Sequence, residues 1–247
     1  MKKLCFHIQK GGVGKTSISG NVADCLARNG KKTILIDCDP QGNSSSWLCT
    51  AEIRYDIGDV LSGGCKPESA VVPLKNNLSV LPVIAIGGHL KEWSETKLVQ
   101  QPKAFEFLMS DIAAMGFDVA VLDCSPSFSM LEMALIAHVD EVINPLSPEF
   151  FSVDGIEIFQ HELQKIEKAN RKKILNNKIV VNMLNKSFAR HKEFYEELQK
   201  LRYEVFTIPQ DSKIAECQIA HQSIFDYAPS ARSVAHFESL TQRLLAA

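Results

Sequence analysis

Near its amino terminus the chain has an apolar run, Leu4 to Ile8, that leads into Lys10-Gly-Gly-Val-Gly-Lys-Thr16 and then into a stretch of helical periodicity closing at Asn29-Gly30. No other feature restricts the possible folds as much. Glycines at 11, 12 and 14 open backbone conformations barred to other residues, so that consecutive N–H groups can be aimed into one concavity. The helix that follows brings the positive end of its dipole to the same place. Such a concavity suits phosphate, with Lys15 placed to neutralise charge and the Thr16 hydroxyl placed to ligate Mg²⁺. A tight glycine turn beside a solvated lysine would explain the glycines alone. It would not explain strand, glycines, Lys-Thr and helix occurring together.

The rest of the chain continues the alternation. Thr33–Ile36, Phe117–Leu122, Glu141–Asn144 and Lys178–Val181 read as buried strands. Between them, Ile156, Phe159, Leu163 and Ile166 share one helical face in 153–168, and Phe194, Tyr195, Leu198 and Leu201 share another in 188–202. Apolar strands separated by helices predict a doubly wound α/β fold, with a mostly parallel sheet covered by helices on both faces. One domain spanning residues 1–247 accounts for the pattern, and the stretch from Thr50 to Pro102 is its least regular part.

A net charge of −2 argues against wholesale coating by nucleic acid, while leaving room for a local basic patch. The seven cysteines contain no C-x-x-C pair, so reduced thiols in a cytoplasmic protein are expected rather than a disulfide framework or zinc knuckle. No run approaches the roughly 18 apolar residues that span a bilayer, and no signal-peptide core precedes the glycine loop.

The general phosphate-loop pattern G-x-x-x-x-G-K-[ST] requires glycine where this chain has Gln9. The segment Lys10 to Thr16 instead resembles the deviant Walker A motif of the ParA/MinD ATPases, a group of P-loop NTPases, and within it the ParA/Soj partition ATPases. The resemblance implies MgATP as ligand, with Gly11, Gly12, Val13, Gly14, Lys15, Thr16 and Ser17 as nucleotide-binding positions. It also implies that Lys10, the signature lysine, reaches across a dimer interface to the partner's phosphates. ATP binding would then drive a sandwich homodimer, and hydrolysis would release it.

Asp37 and Asp39 alternate at the end of a predicted strand, where open α/β sheets bind ligands. The run Asp37-Cys-Asp-Pro-Gln-Gly-Asn43 is similar to the family's switch I. By that resemblance Asp39 orients the attacking water beside the metal, and Asp37 supports either the loop or the Mg²⁺ water shell. Asp123 ends another apolar strand and resembles the Walker B acid that holds Mg²⁺ through water. In Asp123-Cys-Ser-Pro-Ser127, Ser125 stands where the family has a first proline, which is expected to loosen switch II.

Two further segments resemble the family's base-recognition elements. Asn182 closes a predicted strand, and Ile208-Pro-Gln-Asp211 is similar to a segment packed beside adenine, so Asn182 and Pro209 are assigned to the base. A ParA-like chain is expected to bind DNA nonspecifically as an ATP-bound dimer on the nucleoid, and to be stimulated by a centromere-binding partner of the ParB type. Lys186, Arg190, Lys192, Lys213 and Arg232 are the candidate contacts to DNA phosphates.

Three alternatives fit less well. A MinD-like positioning ATPase needs a basic amphipathic terminal helix, but Val234, Phe237, Leu240, Leu244 and Leu245 are accompanied only by Arg232 and Arg243. A final helix docked on the sheet is expected instead, without stable membrane association. An iron–sulfur reductase of the superfamily needs a cysteine where Met130 stands. A metabolic ligase such as a dethiobiotin-synthetase-like enzyme would lack Lys10 and the Asp37–Asn43 run.

Overall fold

The computed structural model describes residues 1–149 and 152–246. Eight strands form one sheet: β1 (Lys2–Phe6), β2 (Thr33–Asp37), β3 (Val72–Lys75), β4 (Leu78–Leu81), β5 (Val119–Asp123), β6 (Glu141–Leu146), β7 (Leu175–Leu184) and β8 (Glu204–Pro209). Their spatial order is β3-β4-β2-β5-β1-β6-β7-β8. Every pairing is parallel except β3–β4, an antiparallel hairpin at one edge.

Helices join the strands in chain order. They are α1 (Lys15–Arg28), α2 (Asn43–Leu48), α3 (Ile57–Leu61), α4 (Pro67–Ala70), α5 (Leu90–Thr96), α6 (Ala104–Ala114), α7 (Met130–Ile136) and α8 (Ser152–Asn170). After these come α9 (Ala189–Gln199), α10 (Ser212–Ile219), α11 (Ile224–Tyr227) and α12 (Val234–Leu245).

Alternation along the strands divides the interior into two cores. Leu4 and Phe6 of β1, Leu35 of β2 and Val121 of β5 face a layer made by α1, α2, α10, α11 and α12. Cys5, Ile34, Ile36, Ala120 and Leu122 face the opposite layer, made by α3 to α9. Period-two strands buried on both faces are what a parallel sheet between two helical layers requires. The α12 stripe is used inside the fold. Phe237, Leu240 and Leu244 are buried in the α1 core, each contributing roughly 1.5–3 kcal/mol. Among the described residues no helix is long and apolar enough to cross a membrane.

The stretch expected to be least regular holds five elements: α3, α4, the β3–β4 hairpin and α5. Their shortness hides them from a periodicity window. Two capping patterns were nevertheless written in the chain. Asp56 and Asp59 cap α3 reciprocally, as Ser129 and Glu132 do for α7.

At the start of β6, Glu141 is buried against the equally buried Lys178 of β7, with Nζ–Oε1 at 2.5 Å, and its other oxygen faces Lys2 at 3.4 Å. Removing one member strands a buried charge, whereas replacing both with apolar groups of similar volume need not destabilise. Lys178→Met should therefore lower unfolding free energy by about 3–5 kcal/mol. Urea unfolding of Lys178→Met and of Lys178→Met/Glu141→Leu checks this, with much of the loss recovered in the double variant.

Candidate functional site

Strand register assembles the site. In the parallel β2–β5 pair Asp37 lies opposite Asp123, and in β1–β5 Phe6 lies opposite Asp123. The carboxyl ends of β1, β2 and β5 thus bring the glycine loop and both acidic segments to one edge of the sheet. This is where connections depart to opposite sides of the sheet and where such folds bind ligands.

The loop is shaped by two left-handed glycines, Gly12 at φ 74° and Gly14 at φ 88°. Gly14 is also the α1 N-cap, so the helix begins with no side-chain cap and no acid in its first turn. Within the described residues the N–H groups of Gly11 to Ser17 make no hydrogen bond, and the first intrachain bond runs from Ile18 N–H to the Gly14 carbonyl. Seven consecutive unpaired amides at a helix N-terminus form an anion cradle. Lys15, almost wholly buried, donates from Nζ to the Lys10 carbonyl at 2.7 Å. Burial lowers its pKa, and the nearby Asp123 and Asp39 oppose that shift.

The three acids differ in what holds them. Asp37 is fully buried, and its oxygens accept from the Ser45 amide at 2.9 Å, the Ser45 hydroxyl at 2.6 Å and the Asp39 amide at 3.1 Å. Burial raises its pKa to about 6 against those bonds. Of the two roles the resemblance left open for Asp37, this geometry corresponds to supporting the loop. Asp39 accepts from the Gln41 amide at 2.9 Å, and burial raises its pKa.

Asp123 is fully buried, and neither carboxylate oxygen has a hydrogen-bond partner among the described residues. Burial, joined by the charge of Asp37, holds its pKa well above the usual carboxylate range, and the Thr16 and Ser19 hydroxyls nearby act in the other direction. An orphaned buried carboxylate normally costs several kcal/mol unless a charge meets it, roughly as much as the loss of a buried ion-pair partner. Hard oxygen donors from Asp123, Thr16 and Asp39 are the chemistry that suits Mg²⁺. The donor set fits the metal.

Switch II is held more firmly than the substitution at Ser125 suggested. The Ser125 hydroxyl donates to Oε1 of buried Glu132 at 2.5 Å and lies 2.8 Å from the Ser127 hydroxyl. Oε2 of Glu132 accepts from the Ser129 amide at 2.9 Å and its hydroxyl at 2.5 Å. The serine replaces a proline's rigidity with a buried hydrogen-bond network, which corrects the expectation of a looser segment. Neighbouring Cys124 is a buried free thiol, 3.5 Å from the Cys5 sulfur.

Asn182 lies beneath the loop, its amide donating to the Val13 carbonyl at 3.0 Å. A Cβ on Gly14 would come within 2.1 Å of the same amide nitrogen. Asn182 thus braces the phosphate loop, a contact the sequence did not announce. Pro209 pairs with Leu184 on the adjacent strand, two residues beyond Asn182, and lines a cavity of about 470 Å³ with Asn185, Lys186, Gln210, Arg232 and His236. Lys186 and Arg232 therefore converge on one pocket. Lys213 is instead paired with Glu216 at 2.6 Å, Arg190 lies close enough to Glu149 to lower its pKa, and Lys192 is on α9. Lys10 meets Glu149 of its own chain at 2.7 Å, a partner with no sequence signal.

Two contacts tie the loop helix and switch I to the segment after β8, and neither was foreseen. Gln218 donates to the Ser17 hydroxyl at 2.7 Å, and the Trp47 indole donates to the Gln222 carbonyl at 2.8 Å.

A parallel sheet, an amide cradle with a buried lysine, and acids at the adjacent strand ends define a P-loop nucleotide-binding protein. A family model described as AAA domain (AAA_31) matches residues 1–179. An uncharacterized protein of Borreliella burgdorferi, BBD21, is 41% identical over 246 residues, covering 99% of both chains. The chromosome-partitioning ATPase Soj of Treponema pallidum is 32% identical over 170 residues, covering 67% of this chain and 65% of its own. Among solved structures, a plasmid partition protein from Borrelia burgdorferi superposes with TM-score 0.77 at 21% identity, covering 99% of this chain and 98% of its own. The chain belongs to the ParA/MinD superfamily of P-loop ATPases, and its named relatives include partition ATPases of the Soj/ParA kind.

The close approach at Gly14 can be tested directly. Gly14→Ala should destabilise the protein by about 2 kcal/mol or more, since left-handed backbone costs roughly 1–2 kcal/mol and the new methyl meets Asn182. Gly12→Ala, with open space around its Cβ, should show the backbone cost alone. Denaturant melts of both, and of Gly14→Ala/Asn182→Ala, check the assignment, with the double variant losing less than the sum of its parts.

Proposed function

We propose that this chain is a DNA-partition ATPase in which MgATP drives sandwich dimerisation and nonspecific DNA binding, and partner-stimulated hydrolysis resets the cycle. The observation that carries the reading is the buried Asp123 carboxylate, without a hydrogen-bond partner among the described residues, at a strand end next to a glycine loop whose amides from Gly11 to Ser17 are likewise unpaired there and whose Lys15 is buried. The amides of Gly11 to Ser17 hold the phosphates, and Lys15 exchanges the Lys10 carbonyl for β- and γ-phosphate oxygens. Thr16, Asp123 and Asp39 would hold Mg²⁺, which when bound neutralises charge developing on the phosphates. Asp39, fixed by the Gln41 amide, orients the attacking water, so that positioning rather than strong basicity supplies the rate.

In this reading Lys10 leaves Glu149 and crosses to the partner's phosphates on dimerisation. That exposed ion pair is worth at most about 1 kcal/mol, a small barrier to exchange. Lys186 and Arg232, which share one cavity with Asn185 and Ser187, are the best placed of the five basic residues to take a DNA phosphate. The named role of the Treponema relative, chromosome partitioning, supports the cargo being DNA. The alternative of a MinD-like positioning ATPase is weakened by α12, whose apolar stripe is already buried.

Lys15→Ala should abolish nucleotide binding or turnover. Asp39→Ala should keep ATP-bound dimers while hydrolysis falls by about 100-fold or more. Lys10→Ala should bind ATP yet stay monomeric. Light scattering with ATP and with ADP, phosphate release, and DNA titration of Asp39→Ala at two salt concentrations check the set. Absence of ATP-dependent, salt-sensitive DNA binding would remove the partition role. Rapid conversion of a small carboxylate or amine without DNA would favour a ligase.

A further inference from the structure

His7 follows β1 and precedes the glycine loop, and it is fully buried with neither ring nitrogen hydrogen-bonded among the described residues. Its ring sits in an aromatic box, with centroids 5.5 Å from Phe128 of switch II and 5.6 Å from Phe159 of α8. Phe128 and Phe159 themselves meet edge to face at 5.9 Å. Burial lowers the pKa of the imidazole, and the charged or titratable groups that face it are Cys124, Lys15 and Glu132. The Ser125 backbone also lies close to the ring.

A third aromatic ring would fill this box equally well and leave no polar atom unsatisfied. An imidazole there leaves a donor and an acceptor unpaired, which buried groups rarely tolerate unless another conformation pairs them. Ser125, whose backbone lies close to the ring, and Phe128, which packs on it, belong to the same short switch II segment. That segment follows Asp123, so any movement of switch II toward bound nucleotide moves Ser125 and Phe128 relative to His7.

We propose that His7 is a positioning residue that couples the phosphate loop to switch II, its ring hydrogen bond being made only when nucleotide draws that segment in. The step rests on MgATP binding at the loop, as proposed above. Part of the preference for the nucleotide-bound arrangement then comes from relieving an unpaired group in the free protein.

The test uses full chain labelled with ¹⁵N-histidine, with the His7 ring signals assigned by their absence in His7→Phe. In free wild type the ring should show a neutral imidazole without a hydrogen-bonded N–H proton. MgATP should produce a downfield-shifted N–H proton at that ring. His7→Phe should match or exceed wild type in Tm without nucleotide, yet bind MgATP about 5-fold more weakly, the equivalent of one ordinary hydrogen bond. A wild type that binds MgATP with the His7 signals unmoved overturns the proposal even if His7→Phe fails to fold. Equal MgATP affinity in a folded His7→Phe also overturns it. A wild type that binds no MgATP sinks the nucleotide reading, and this inference with it.

Discussion

The structure turns on a carboxylate that the fold buries and does not satisfy. Parallel pairing of β2 with β5 sets Asp123 opposite Asp37, both fully buried, so like charges are brought together in a medium that disfavours either. Asp37 resolves its share by accepting from Ser45 and Asp39, which anchors switch I to the strand end. Asp123 has no such hydrogen bonds among the described residues. Positive potential is at hand in the neighbouring loop: buried Lys15 feels the charge of Asp123, and the α1 N-terminus follows directly.

The loop that supplies this potential is itself fixed from below. Asn182 reaches up from β7 to the Val13 carbonyl and leaves no room for a side chain at Gly14. A strand four places along the chain from β5, in the order of secondary structure, therefore sets the height of the phosphate cradle. On the opposite side the network of Ser125, Ser127 and Ser129 about Glu132 keeps switch II ordered. Loop and switches are hydrogen-bonded where they meet the sheet. Their outer contacts, such as Lys10 with Glu149, are exposed and easily exchanged.

Much of this was legible from the chain because local chemistry dictates it. Gly11 to Thr16 between an apolar run and a helix, and acids closing Thr33–Ile36 and Val119–Leu122, are short-range signals that need no tertiary information. The strand cores expected at Glu141–Asn144 and Lys178–Val181 lie within β6 and β7 for the same reason. What escaped was long-range or short. The β3–β4 hairpin has too few residues to show a period, and β8 follows Tyr203 without a turn signal. Asn182 under Gly14, Glu149 against Lys10 and His7 in its aromatic box depend on residues distant in sequence. Ser125 was misjudged because its meaning depends on Glu132, which only the α7 capping geometry brings back to it.

Calorimetric titration of ATP into wild type and Asp123→Asn, each with and without Mg²⁺, addresses the central claim most directly. If the unpaired carboxylate exists to meet a metal at the phosphate loop, Mg²⁺ should tighten ATP binding to wild type by about tenfold or more, in keeping with the size of a charge-assisted contact. The Asp123→Asn variant should bind ATP without that Mg²⁺ dependence, and should be at least as stable as wild type in its absence. Equal Mg²⁺ dependence in the two proteins, or ATP binding to wild type that ignores Mg²⁺, would contradict the account.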